Sequence, residues 1–232
     1  MLRKWLDGIA AIAMISASVF VIWSTGFRAS AAKPHARPER PLPSEPVRIE
    51  GVAFQGNRSA PVVITEFSDF QCPFCSKFSR EILPELVRDY VDTGIAILAF
   101  RHFPLTNAHP FAQDAAIAST CAARQGRFWE LHDLLFRSSA TLSANTVRED
   151  IRAAGLGGPA LESCLASKEV ADQVANDVAA GQVLGVTGTP AILVGARLDD
   201  SLMKLTARIA GARPISEFRA AIDSIVNTKS NR

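Results

Sequence analysis

Cys72 and Cys75 are separated by Pro73 and Phe74. Cysteines three apart at the start of a helix share a face within one turn, so their sulfurs can join as a disulfide and open again. The first cysteine lies where free backbone N–H groups and the positive end of the helix dipole converge. Both stabilise a thiolate, so Cys72 is expected to have a depressed pKa and Cys75 to be the more buried. A stabilised thiolate is a good leaving group, and a pair that contains one is easily reduced, hence an oxidant. The spacing assigns Cys72 the nucleophile and mixed-disulfide role and Cys75 the resolving role. A zinc site needs four ligands, usually as two close pairs. Here Cys121 and Cys164 are isolated, and no histidine falls at matching spacing. No metal and no diffusible cofactor are expected; the disulfide itself carries the redox chemistry.

Such a pair needs a rigid strand before it and a helix after it. Val62-Val63-Ile64-Thr65-Glu66-Phe67 is a β-branched apolar run that predicts a buried strand. Pro73 stands at a first-turn position that needs no N–H. The helix it opens is expected to run to about Tyr90, with Phe74, Phe78, Ile82, Leu86 and Tyr90 on one face. Pro84 predicts a kink or break near Leu83. Ile95–Phe100 reads as a second buried strand, so strand, helix and strand make a βαβ unit with parallel pairing. Residues 107–183 are helical and Ala-rich, broken by Gly126, Gly155 and Gly157-Gly158. Ala191–Gly195 reads as a strand that Ala207–Ala210 could pair with, and residues 214–226 as a closing helix. Val47–Phe54 reads as a first strand. Leu198–Thr206 matches no motif and reads as an extra loop or short helix.

The chain has 232 residues, with 25 Lys/Arg against 23 Asp/Glu. The first 46 residues hold six basic and three acidic side chains, which leaves 19 and 20 for the rest. A near-neutral body without basic runs excludes nucleic acid as a partner. Four cysteines in this length exclude a disulfide-dense mini-scaffold. The excess positive charge flanks an uncharged run of 20 residues, Gly8 to Phe27, preceded by Arg3 and Lys4. That length suits a membrane-spanning helix, so residues 1–28 read as a signal anchor. The alternative is a signal peptide cleaved near Ala29-Ser30-Ala31. Residues 29–46 form a Pro-rich linker with Pro34, Pro38, Pro41, Pro43 and Pro46, which favour extended polyproline II and forbid a helix.

Ile64 to Cys75, reading ITEFSDFQCPFC, resembles the active-site region of DsbA-like thiol–disulfide oxidoreductases. Gly185-Val186-Thr187-Gly188-Thr189-Pro190 resembles that family's loop bearing a cis proline. Phe128-Trp129-Glu130-Leu131-His132-Asp133-Leu134-Leu135-Phe136 resembles a helix of its inserted domain. The resemblance implies an α/β, thioredoxin-like fold with an inserted α-helical domain. Residues 47–106 and 184–228 would be its two thioredoxin-like parts and 107–183 the insert, preceded by the N-terminal helix and linker.

It further implies that Pro190 is cis and faces the cysteines. Thr189, Pro190 and Phe74 would contact an extended substrate, Thr189 through its backbone. Glu66 would be a buried acid assisting proton transfer at Cys75, unless its register turns it to solvent. Cys121 and Cys164 would form a second, structural disulfide; the alternative is two free buried thiols. His102 and His109, flanking the helical segment, read as surface or capping residues, or as an edge of the active site. His132 reads as packing, and His35 lies in the linker.

The implied activity is disulfide exchange with exported proteins on the extracytoplasmic face, tethered by the N-terminal helix and reset by a membrane redox partner. The oxidase direction is expected. The alternatives are a reductase or isomerase of the same fold, and a non-enzymatic module that binds peptides near Pro190. The sequence departs from well-known oxidant members at Phe74, where they carry a histidine that helps hold the thiolate. Phe74 can neither donate a hydrogen bond nor carry charge.

Overall fold

A computed structural model describes residues 41–230. The expected signal helix over 1–28, the linker up to residue 40 and His35 lie outside the described residues. No helix among the described residues is long and apolar enough to cross a membrane.

The strands are β1 (Val47–Arg48), β2 (Ala53–Gln55), β3 (Val62–Ser68), β4 (Ala96–His102), β5 (Ala191–Arg197) and β6 (Leu202–Ala210). They form one sheet in the order β1-β6-β5-β3-β4-β2. β3 and β4 pair in parallel across the helical crossover, while β3–β5 and β5–β6 are antiparallel. Every residue of β3 and β4 is buried, as expected of central strands covered on both faces. The single strand expected over Val47–Phe54 is two short edge strands: β1 lies on β6 and β2 on β4, at opposite edges of the sheet. Leu198–Thr206 is neither a loop insertion nor a helix. Asp199 caps a tight turn through the amides of Ser201 and Leu202, and from Leu202 the chain is already in β6. An Asx turn carries no hydrophobic periodicity, which is why the pattern was silent there.

The helices are α1 (Pro73–Lys77), α2 (Leu83–Leu86), α3 (Ala112–Arg124), α4 (Phe128–Arg137), α5 (Ala144–Ala153), α6 (Pro159–Leu165), α7 (Lys168–Val183) and α8 (Ile215–Ser230). The run from Pro73 to Val91 is not one regular helix. Wide π turns at Phe78–Ile82 and Val87–Val91 separate α1 from α2 and follow it. The amide of Leu83 reaches back to the Phe78 carbonyl, so Pro84 falls in the first turn of a renewed helix, where its missing N–H costs nothing.

α3 to α7 lie between β4 and β5 in the chain and are bound to the sheet by polar and apolar ties. Asp177 of α7 accepts from Arg101 Nε at 2.8 Å and from the His102 amide at 3.0 Å. Gly181 of the same helix packs against Phe103 and Phe67, where an added Cβ would come within 3.0 Å of both rings. One apolar cluster joins the helices to the cysteines: Phe70, Cys72, Cys75 and Phe100 pack with Phe128, Leu131, Leu135 and Phe136. A second, of Val62, Ile64, Phe78, Phe218 and Ile222, seats α8 on the sheet. A third, of Val63, Phe67, Ile97 and Leu193, fills the opposite face. Alternate residues of β3 thus serve different cores, as period-2 geometry requires.

Candidate functional site

β3 ends at Ser68 and delivers the chain through Asp69-Phe70-Gln71 to Cys72, which caps α1 with extended backbone (φ −77°, ψ 124°). Asp69 shapes this turn. Its carboxylate accepts from the amides of Gln71 and Leu105, each at 2.8 Å, and pairs with His109 Nδ1 at 2.7 Å. Gln71 Oε1 accepts from the Phe111 amide at 2.8 Å. The cysteine turn is therefore held from the connection between β4 and α3. Ser76, just past Cys75, donates to the Phe136 carbonyl of α4 at 3.1 Å.

Cys72 and Cys75 are free thiols, 4% and 0% exposed, whereas Phe74 between them is 62% exposed. The Thr189–Pro190 peptide bond is cis. The Cys72 thiol donates to the Thr189 carbonyl at 3.5 Å, so the loop carrying Pro190 lies against the first sulfur.

The electrostatics of the two sulfurs diverge. The Cys72 pKa is lowered to about 5, chiefly by the Cys75 thiol, with the Thr189 side chain and the amides of Cys75 and Phe74 adding to it against the cost of burial. The Cys75 pKa is raised well above its ordinary value by burial and by the Cys72 sulfur. Glu66 is fully buried on β3, between Phe100 of β4 and Ile192 of β5 in register. Burial raises its pKa to about 7; the Ser68 hydroxyl opposes this, but neither carboxylate oxygen has a hydrogen-bond partner.

Cys121 of α3 and Cys164 of α6 are joined as a disulfide, with Cα atoms 5.9 Å apart. His102 is buried on β4 and not at the surface; its Nε2 lies 3.0 Å from Thr120 Oγ1. His132 is buried among Phe70, Phe100, Phe128 and Phe136, with Nδ1 on Asp133 at 2.8 Å. Among the described residues no cluster of three or more His, Cys, Asp or Glu side chains fits a metal ion. Phe74 thus stands between the cysteines and Thr189, joined to Pro190 by the cis bond, meets the first sulfur; Glu66 is buried on β3, two residues before Ser68, and the second cysteine pair belongs to the helical layer. Sequence reasoning missed Ser68, Asp69, Gln71 and the role of His109. The Asp-Phe-Gln step ahead of an N-cap was the available signal, because a turn there needs a side-chain acceptor for its free amides.

A buried thiol pair at a helix start, beneath a cis-proline loop on a four-strand core with a helical crossover, defines the thioredoxin class. The family model described as Thioredoxin matches residues 49–223, and the chain belongs to that family. Its resemblance to the DsbA-like branch is borne out. The chain is 29% identical over 160 residues to the "Probable disulfide bond formation protein D" of Bacillus anthracis, covering 64% of this chain and 74% of that protein. The crystal structure of Wolbachia pipientis α-DsbA1 shares the fold, with a TM-score of 0.64 and 24% identity over 75% of this chain and 90% of that one. The chain is also 37% identical over 143 residues to the Na+/H+ antiporter NhaA 3 of Salinispora tropica, covering 62% of this chain. It spans 21% of that relative's length.

Proposed function

We propose that this chain is an extracytoplasmic thiol–disulfide oxidoreductase that exchanges disulfides with exported proteins and runs as an oxidase. The observation that carries the reading is the asymmetry of the pair: one sulfur favours the thiolate, and its buried partner favours the thiol, beside a loop that offers backbone to a guest. In the oxidised form a substrate thiolate attacks Cys72 Sγ, the less buried of the two sulfurs. Cys75 leaves and takes up a proton, and Glu66 is the nearby acid with a pKa suited to supply it. A second substrate thiol then attacks the mixed disulfide and releases Cys72, which is a good leaving group because its thiolate is stabilised.

The backbone of Thr189 and the exposed ring of Phe74 would hold an extended substrate. The implied membrane redox partner would accept the electrons, and the N-terminal helix would keep the chain at the membrane. The name of the Bacillus anthracis relative, with its reference to disulfide bond formation, supports this direction. Phe74 supports the reverse one, since its side chain, unlike its amide, gives the thiolate no hydrogen bond, so the direction needs its own measurement.

The test is the equilibrium of the Cys72–Cys75 pair in the detergent-solubilised full chain against glutathione redox buffers. A pair that stays reduced in mildly oxidising buffer is the expected result. A pair that stays oxidised until the buffer is strongly reducing makes the chain an electron donor and overturns the oxidase reading.

A further inference from the structure

Beneath the cysteines one face of the sheet carries buried polar atoms without hydrogen-bond partners: both Glu66 carboxylate oxygens, Ser68 Oγ and His102 Nδ1. They are neighbours by construction. Glu66 and Ser68 are two apart on β3 and so share a face, and Ser68 stands in register with His102 on β4. Unpartnered buried polar atoms are costly, and a cluster of them calls for a role.

The three groups differ in what they can do with a proton. The Thr120 hydroxyl donates to the Ala116 carbonyl at 2.9 Å, so it accepts from His102 Nε2 at 3.0 Å. Burial and the Arg101 charge lower the His102 pKa to about 3 and keep the ring neutral. Its Nδ1 is therefore a bare acceptor with no proton to give. Glu66 holds or loses a proton but is not among the groups acting on the Cys75 thiol. Ser68 is a hydroxyl, able to give and accept at once, and its side chain faces both the Glu66 carboxyl and the Cys75 thiol. Thr189, the other buried hydroxyl there, faces the two sulfurs from the proline loop but is not among the groups acting on Glu66.

We propose that Ser68 relays the proton between Glu66 and Cys75 during disulfide exchange. The inference rests on the exchange reading above. As the substrate thiolate forms its bond to Cys72 Sγ, the Cys72–Cys75 bond breaks and its electron pair leaves on Cys75 Sγ. Cys75 takes the Ser68 hydroxyl proton while Ser68 takes the proton of the Glu66 carboxyl. Ser68 ends as it began, Glu66 becomes a carboxylate, Cys75 ends as a thiol and Cys72 is held in the mixed disulfide, until the peptide's second thiolate attacks the substrate sulfur, closes the peptide disulfide and releases the Cys72 thiolate. Reoxidation of the pair runs the same path backwards.

The test mixes the oxidised full chain with a synthetic peptide carrying two cysteines and follows single-turnover reduction of the pair by acid quench and thiol trapping. Ser68→Ala is expected to slow the reaction about 100-fold below the Glu66 value of about 7, the usual scale of lost proton transfer. Ser68→Thr, which keeps the hydroxyl, is expected to restore the rate, and the alkylation pH profile of Cys72 should be unmoved in both. In the unaltered chain, mixtures of light and heavy water should give a curved rate dependence, since two protons move together. A linear dependence, a Ser68→Ala rate equal to that of the parent at every pH, or a shifted Cys72 profile overturns the relay. The water experiment decides the matter even where Ser68→Ala does not fold. If the unaltered chain leaves the peptide thiols untouched, it is the exchange reading that fails.

Discussion

The molecule holds two cysteine pairs, and they have opposite characters. Cys72 caps α1 and Cys75 lies in its first turn; the two share a cluster with Phe70 and Phe100, and Cys72 meets Thr189 from a distant loop. Cys121 and Cys164 come from the last turns of α3 and α6, 43 residues apart, and are covalently joined. Cys72, Cys75 and Cys121 are buried and Cys164 is half-buried, so burial does not mark out the reactive pair. The difference lies in what surrounds the first sulfur. Cys72 has a helix N-terminus, a second thiol and a hydroxyl that all favour its thiolate, whereas the other pair closes a loop of chain.

The sharpest way to break this comparison is to remove one sulfur from each pair. Cys72→Ser is expected to abolish disulfide exchange with a dithiol peptide, while Cys164→Ser leaves it intact. Loss of exchange in both would erase the distinction. The same Cys164→Ser variant should lose about 2–4 kcal/mol in a urea melt, because the unfolded chain regains the entropy of an open loop. An unchanged midpoint would show that the second disulfide adds nothing.

Glu66 sharpens the comparison through pH. Its folded pKa of about 7 lies above its ordinary 4.5, so the native state holds the proton more tightly than the unfolded chain does. Its contribution is full below about 4.5 and is lost as pH rises to about 7, a fall of roughly 3 kcal/mol by linkage. The oxidised form is the one to melt, since Cys72 does not titrate there. Glu66→Gln is expected to flatten that slope, and a slope that persists would place its origin elsewhere. The smallest effect is expected at Thr189. Thr189→Val removes a hydroxyl that favours the thiolate and should raise the Cys72 midpoint from about 5 by about one unit, read by thiolate absorbance. A midpoint that stays in place would leave the stabilisation to Cys75 and the helix amides.

Much of the fold was legible because its signals are local. The β-branched run at Val62–Phe67 and the apolar stretch ending at Phe100 needed only composition to be read as buried strands. Pro73 next to Cys72 needed only the rules of helix starts. Legibility failed where a signal is short or non-periodic. The break between Arg48 and Ala53 sends two short strands to opposite edges of the sheet, and only partner availability decides that. Pro84 predicted a disturbance, but the π turn that absorbs it depends on packing of Phe78 and Ile82 against α8 and the sheet.

At the site, the Cys-Pro-Phe-Cys spacing and its place at a helix start follow from the chain itself, because four consecutive residues and one turn of backbone contain the whole device. Which way Glu66 points, whether Ser68 meets a thiol, how Asp69 gathers the amides of Gln71 and Leu105, and whether Thr189 reaches a sulfur 117 positions away do not. Strand side chains alternate faces, so one step of register would have turned Glu66 and Ser68 away from Cys75. Only the pairing of β3 with β4 and β5 sets that register, and pairing is a property of the folded chain.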